Sequence, residues 1–169
     1  MSIEESKLTL YRTKCIEGID NESLSKDVLS KSNCRISDDP LQSRYEDTEL
    51  PNTKNTKDLI LKIDSEIYDI NFNMERKNIW SHIIEPQQST IPHNHIGDDD
   101  GLSFVYYVTY PKQSGNIVFD FYVANKRIFR SIEPKVGMLI IFPTWMSHYT
   151  TRNISDEKRI SISGNYFPQ

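Results

Sequence analysis

Apolar residues follow two different rhythms along this chain. From Lys57 to Asn71, Leu59, Ile60, Ile63, Ile67 and Ile70 recur every three or four positions, the spacing that puts side chains on one face of a helix. The pattern predicts a helix over 57–71 that packs against a sheet. From Ile79 onward the runs shorten. Ile, Val, Tyr, Phe and Thr cluster in short stretches cut by Pro, Gly and Asn, at the interval of about ten residues that marks an all-β fold. Candidate strands lie near 79–85, 88–93, 102–110, 115–123, 127–132, 137–142, 147–152 and 158–166. Short antiparallel strands in this number fit a jelly roll, in which two sheets fold together and bury their edges.

Residues 1–56 show neither rhythm. They are polar, with turn-prone clusters such as "SDDP" and "ELPNTKNTKD". The expectation is an irregular N-terminal wrapping segment over 1–56 and a single β domain over 57–169, with 30–56 either covering the mouth of the domain as a lid or lying loosely against it.

Composition narrows the function. A chain of 169 residues is long enough for one real core and short for two. Its net charge of −4 is small and mixed in sign, which disfavours nucleic acid as a partner, since that role needs a broad basic surface. The opening "MSIEESKLTLYRTK" has no apolar core of a secretory signal, and no later run has the length of a membrane span. The expected setting is therefore the cytoplasm, away from membranes. Cys15 and Cys34 have neither CxxC spacing nor histidines nearby, so both read as ordinary free thiols.

The chemistry begins at "TIPHNH". His93 and His95 are one residue apart, so on an extended strand both imidazoles point to the same face and can reach one ion. A third ligand must come from elsewhere, and His148 in "GMLIIFPTWMSHYTTRN" is the candidate: the apolar strand ends at Pro143, and a short turn carries His148 to the start of the next strand. Imidazole suits zinc, copper, iron and nickel, and a His-rich site with open positions favours Fe(II) that activates oxygen. A lone histidine is more often structural, which is the reading for His82.

Near the C-terminus, in "EKRISISGNYF", Arg159, Ser161 and Ser163 alternate with Ile160 and Ile162. One face of this strand is polar and the other apolar. If Arg159 points inward it must be paired, because a lone buried charge is costly. A bound carboxylate would satisfy it through two parallel charge-assisted bonds, with the Ser161 hydroxyl adding another. The alternative is an arginine in water on an edge strand.

Taken in order, the HxH pair, "SFVYYV", "SGNIVF", "PKVGMLIIFPTWMSH" and "RISIS" resemble the 2-oxoglutarate- and Fe(II)-dependent oxygenases of marine phages and bacteria, relatives of the prolyl hydroxylases. The resemblance covers about residues 78–167. It implies a double-stranded β-helix, with Fe(II) held by His93, His95 and His148 and 2-oxoglutarate held at its far carboxylate by Arg159 and Ser161. It also implies hydroxylation of a small molecule or a protein side chain, with release of succinate and CO2, in the host cytoplasm if a phage encodes the chain.

The departure is at the middle ligand, where most of that superfamily carries Asp or Glu and this chain carries His95. Three outcomes stay open: direct ligation by His95, a carboxylate from Asp98, Asp99 or Asp100 folding back, or metal binding without oxygenase competence. Two other readings compete. A cupin-like metalloenzyme working without 2-oxoglutarate would use the same histidines plus Asp99, and a non-catalytic phage jelly-roll module would bind without metal. Trp80 and Trp145 read as core or pocket wall. Tyr106 and Tyr107 point in opposite directions on their strand, so at most one faces the cavity.

Overall fold

The computed structural model describes residues 10–31, 41, 50–95 and 101–169. In chain order its elements are β1 (Arg12–Cys15), α1 (Asn21–Lys31), α2 (Lys54–Tyr68), β2 (Met74–Ile84), β3 (Leu102–Thr109), β4 (Ile117–Val123), β5 (Lys126–Ile132), β6 (Met138–Pro143), β7 (Ser147–Thr150) and β8 (Arg159–Pro168). A five-stranded sheet runs β1-β6-β3-β8-β2 and a three-stranded sheet runs β5-β4-β7. The strand pairs are antiparallel. This is the expected all-β jelly-roll core with flanking helices.

The large sheet is covered on both faces, which explains why its central strands read as unbroken apolar runs. On one face Phe104, Tyr106, Leu139, Ile141, Ile160 and Ile162 pack with Leu24 and Val28 of α1 and with Leu59, Ile63 and Ile67 of α2. On the other face Val105, Tyr107, Ile140 and Phe142 meet Ile117, Phe119 and Phe121 of the small sheet. Strand parity therefore sorts each residue: even positions of β3 face the helices and odd positions face the gap between the sheets.

Several elements differ from the sequence expectation. The segment over 1–56 is not wholly irregular, because β1 adds an edge to the large sheet through Arg12↔Ile141 and Cys15↔Met138. All four β1 residues are exposed, so no alternation betrays the strand. Helix α1 buries only Leu24 and Val28, a single turn of apolar signal, and Asp20 caps it by accepting the Ser23 amide at 3.0 Å.

Helix α2 runs three residues earlier than the expected 57–71. Thr53 caps it, its hydroxyl accepting the Thr56 amide at 3.3 Å, and Ile70 falls beyond its end at 38% exposure. Strand β2 begins at Met74 and not near 79, held to β8 from Met74↔Pro168 onward.

The expected strand over 88–93 is absent as a ladder. Pro86 and Pro92 lack the N–H a ladder needs, and Gln87 turns through a φ of 71°. In place of a ladder, Thr90 and Thr150 use their hydroxyls. The Thr90 amide donates to Thr150 Oγ1 at 3.0 Å and the Thr150 amide donates to Thr90 Oγ1 at 2.7 Å. Cys15 is an exposed free thiol, while Cys34 lies outside the described residues. Among the described residues no helix is long and apolar enough to cross a membrane.

Candidate functional site

The gap between the two sheets opens into a pocket whose wall includes His93, His95, His148, Tyr107, Arg159 and Ser161. All five residues singled out in the sequence as candidates thus line one space. His93 and His148, 55 positions apart, form an isolated antiparallel bridge. The His93 amide donates to the His148 carbonyl at 3.0 Å and the His148 amide returns a bond at 2.8 Å. The His95 amide donates to the Thr144 carbonyl at 2.9 Å, so the HxH segment is stapled at two points, to β7 at His148 and to the β6–β7 turn at Thr144.

These staples bring the imidazoles together, with one ligand nitrogen from each within 4.8 Å of the others. Each ring has its Nδ1 against an oxygen. His93 Nδ1 lies 2.8 Å from the Ile91 carbonyl, His148 Nδ1 2.9 Å from the Met146 carbonyl, and His95 Nδ1 2.8 Å from Asn165 Oδ1. A carbonyl oxygen can only accept, so Nδ1 carries the proton in each ring and Nε2 carries the lone pair. Burial lowers all three pKa values, that of His148 to about 3 with the neighbouring His93 adding to the effect. The rings are therefore neutral at neutral pH, the form that binds a cation.

The same wall carries Arg159, 1% exposed. Its Nη1 donates to the Gly115 carbonyl at 3.0 Å, but its Nε is buried without a partner among the described residues. Among the described residues no carboxylate pairs with it. Gly115 is what lets this carbonyl come so near: it turns at a φ of 92°, and a Cβ there would lie 2.2 Å from the Thr151 carbonyl oxygen.

Tyr107 stands beside the guanidinium, which lies 5.6 Å from its ring centre, and the Tyr107 hydroxyl is likewise buried without a partner among the described residues. Burial pushes that hydroxyl up to about 12, so it remains a neutral donor. A buried cation with unused donors beside it is costly unless an anion meets them.

Cross-strand register orders the floor of the pocket. Ser161 on β8 lies opposite His82 on β2 and opposite Tyr107 on β3. His82, read from sequence as a structural histidine, is buried in the pocket wall, and burial with Arg159 nearby lowers it to about 3. Tyr107 faces the pocket while Tyr106 faces the helices and donates to Asn21. Trp80 lines the pocket and stacks on His95 with ring centres 5.7 Å apart, but Trp145 is 46% exposed and is neither core nor wall. Asp98, Asp99 and Asp100, the alternative acidic ligands, lie outside the described residues.

The donor set therefore suits a divalent metal, since one nitrogen from each of three neutral imidazoles converges, and a carboxylate beside Arg159. A molecule that carries both a carboxylate and metal-binding oxygens matches this pair of donor sets. Comparison with known proteins points the same way.

The family model described as "Putative 2OG-Fe(II) oxygenase" matches residues 78–165. No curated protein matches the sequence significantly. Among solved structures, the viral collagen prolyl hydroxylase of Paramecium Bursaria Chlorella virus-1, in complex with 2-oxoglutarate, superposes with a TM-score of 0.66 at 17% identity, covering 94% of this chain and 96% of that one. A Trichoplax adhaerens prolyl hydroxylase, solved with a hypoxia inducible factor peptide fragment, gives 0.70 at 15% identity, covering 94% and 84%. The non-heme alpha ketoglutarate dependent carbocyclase of nogalamycin biosynthesis gives 0.72 at 13%, covering 93% and 79%. At these identities the structures show a shared fold. The family match spans just over half of the 169 residues, and the chain belongs to that family of 2-oxoglutarate- and Fe(II)-dependent dioxygenases.

Proposed function

We propose that the protein hydroxylates a substrate C–H bond, with His93, His95 and His148 holding Fe(II) and Arg159, Ser161 and Tyr107 holding 2-oxoglutarate. Once bound, iron and 2-oxoglutarate supply the oxidant: one oxygen atom of O2 enters the substrate as hydroxyl, and the other enters the succinate left when 2-oxoglutarate loses CO2. What the chain contributes is placement. The histidines sit on segments stapled together by main-chain bonds, so the ligand set exists before the metal arrives. Trp80, Phe142 and Val105 make the remaining wall largely apolar, which keeps water from the reacting centre.

The observation that carries this reading is the buried Arg159 guanidinium, whose Nε has no partner among the described residues, in the same pocket as the three imidazoles. A bound carboxylate would accept from its Nε and from the Tyr107 hydroxyl, supplying the two partners these donors lack. Direct use of His95 in place of the usual carboxylate follows from its position in the triad and would leave the metal's positive charge uncancelled by protein ligands.

The substrate is a small molecule or a protein side chain, and the shared fold does not choose between them, because it supports a carbocyclase as readily as prolyl hydroxylases. We also read 57–169 as the unit that carries the chemistry and 1–56 as a segment wrapped on it, in a cytoplasmic protein. The test is anaerobic titration with Fe(II) and 2-oxoglutarate, followed by succinate production in wild type and in Arg159→Ala. The expected result is a metal-to-ligand charge-transfer band and slow uncoupled succinate release in wild type, both lost in the variant at moderate 2-oxoglutarate. Fe(II) binding with no such band at saturating 2-oxoglutarate would refute the reading.

A further inference from the structure

The three imidazoles are anchored in two different ways. His93 and His148 each donate Nδ1–H to a main-chain carbonyl two residues earlier, Ile91 and Met146. Their tautomers are set by their own local backbone. His95 depends on a distant side chain: its Nδ1 lies 2.8 Å from Oδ1 of Asn165, seventy residues on in β8. The same oxygen accepts the Ser103 hydroxyl at 2.8 Å. Ser103 and Asn165 are direct partners in the β3–β8 register, and both are buried. Trp80 stacks on the His95 ring at an interplanar angle of 25°, so the plane of the ring is fixed by Trp80 and its proton by Asn165.

The end of the Asn165 amide that faces the ring decides what His95 can do. With the oxygen facing it, Nδ1 holds the proton and Nε2 holds a lone pair directed at the other two histidines. With the NH2 group facing it, Nδ1 would have to accept, Nε2 would carry the proton, and the ring could not bind a cation. Both lone pairs of Oδ1 are engaged, one by His95 and the other by Ser103. An amide oxygen is also uncharged, so the ring remains a neutral donor.

We infer that Asn165 is a positioning residue that makes His95 a metal ligand, and that the middle position of the centre is set from β8 and not from the HxH segment itself. This rests on the histidine triad being the metal site. Groups that orient a ligating histidine through its other nitrogen change metal affinity by about 10- to 100-fold when removed. Removing the Asn165 acceptor should fall in that range.

The test uses the full chain with Co(II) as the probe. Wild type should bind one Co(II) with a visible ligand-field spectrum. Asn165→Leu should bind about 10- to 100-fold more weakly with a shifted spectrum, while Asn165→Asp, which keeps an acceptor, should restore wild-type affinity or exceed it. Metal-free wild type read by nitrogen-15 NMR should show His95 as the Nδ1–H tautomer, a measurement that stands even if Asn165→Leu does not fold. Wild-type affinity and spectrum in Asn165→Leu, or an Nε2–H tautomer for His95 in wild type, would overturn the inference and leave the triad as a metal site. Failure of wild type to bind Co(II) would overturn the triad itself, and this inference with it.

Discussion

His93 and His148 exchange both of their main-chain hydrogen bonds, at 3.0 and 2.8 Å, across 55 residues of chain. The pairing is an isolated bridge, yet it closes the pocket end that gathers the imidazoles. It makes the two rings interdependent, with centres 4.4 Å apart. Replacing either by Ala removes one donor of three but leaves the bridge, which is made by backbone. Because even groups that only orient a ligand are worth about 10- to 100-fold in metal affinity, His93→Ala or His148→Ala should lose more than that for Fe(II). Secondary structure by circular dichroism should not change.

Arg159 should behave in opposite ways in the two states of the pocket. Without an anion it is a buried cation with no carboxylate partner among the described residues, a costly arrangement that an apolar side chain of similar volume avoids. Arg159→Met should therefore raise the urea midpoint of the ligand-free protein or leave it unchanged. With 2-oxoglutarate at a hundredfold excess over its dissociation constant, wild type should gain about 2.7 kcal/mol and the variant far less. A large loss of stability in ligand-free Arg159→Met would count against the pocket being built for an anion.

Tyr107→Phe removes a buried hydroxyl that has no partner. Deleting such a group costs the fold little, since nothing is left unpaired. The thermal midpoint should hold or rise slightly, while the KM for 2-oxoglutarate should rise by about tenfold, the value of a hydrogen bond worth some 1.4 kcal/mol. Steady-state succinate assays across 2-oxoglutarate concentrations would read it.

Much of this site was legible because strand geometry has a fixed period. One residue between His93 and His95, and one between Arg159 and Ser161, is enough to put each pair on one face, and that face is the pocket. The same parity could not say whether Tyr106 or Tyr107 looked inward, since the large sheet is buried on both faces and each has a core to enter. His82 is the buried histidine that its lone position in the sequence suggested, but its place opposite Ser161 comes from a register that only the folded sheet supplies. Asn165 was missed for a related reason: an Asn near the end of an apolar strand carries no mark of the ring it faces. Strand β1 left no trace because all of it is exposed.

The pocket histidines also set an acid limit. His82 and His148 are held neutral by burial, with pKa values lowered from 6.5 to about 3. The unfolded chain binds protons below about 6.5 that the folded one refuses, so stability rises with pH over that window. The contribution of these two groups is fully present above 6.5 and is lost as pH falls toward 3, with a slope approaching about 1.4 kcal/mol per pH unit for each. Urea unfolding of the metal-free protein at a series of pH values should show this, and His82→Phe should flatten the slope.

Thr90 offers the sharpest test of how the HxH segment is held. It stands where a strand was expected and none forms, and its hydroxyl accepts the Thr150 amide at 2.7 Å while its own amide donates to Thr150 Oγ1. Thr90→Val keeps the shape and removes the acceptor, leaving the Thr150 amide buried without its bond at a cost of about 1–3 kcal/mol. Since Thr150 lies two residues after His148 and Thr90 three before His93, the loss should loosen the bridge between the two ligands. Metal affinity should fall together with stability in Thr90→Val, whereas Thr90→Ser, which keeps the hydroxyl, should recover most of both. A variant that lost stability but bound Co(II) as wild type does would show instead that the His93–His148 bridge holds the ligands without the threonine pair.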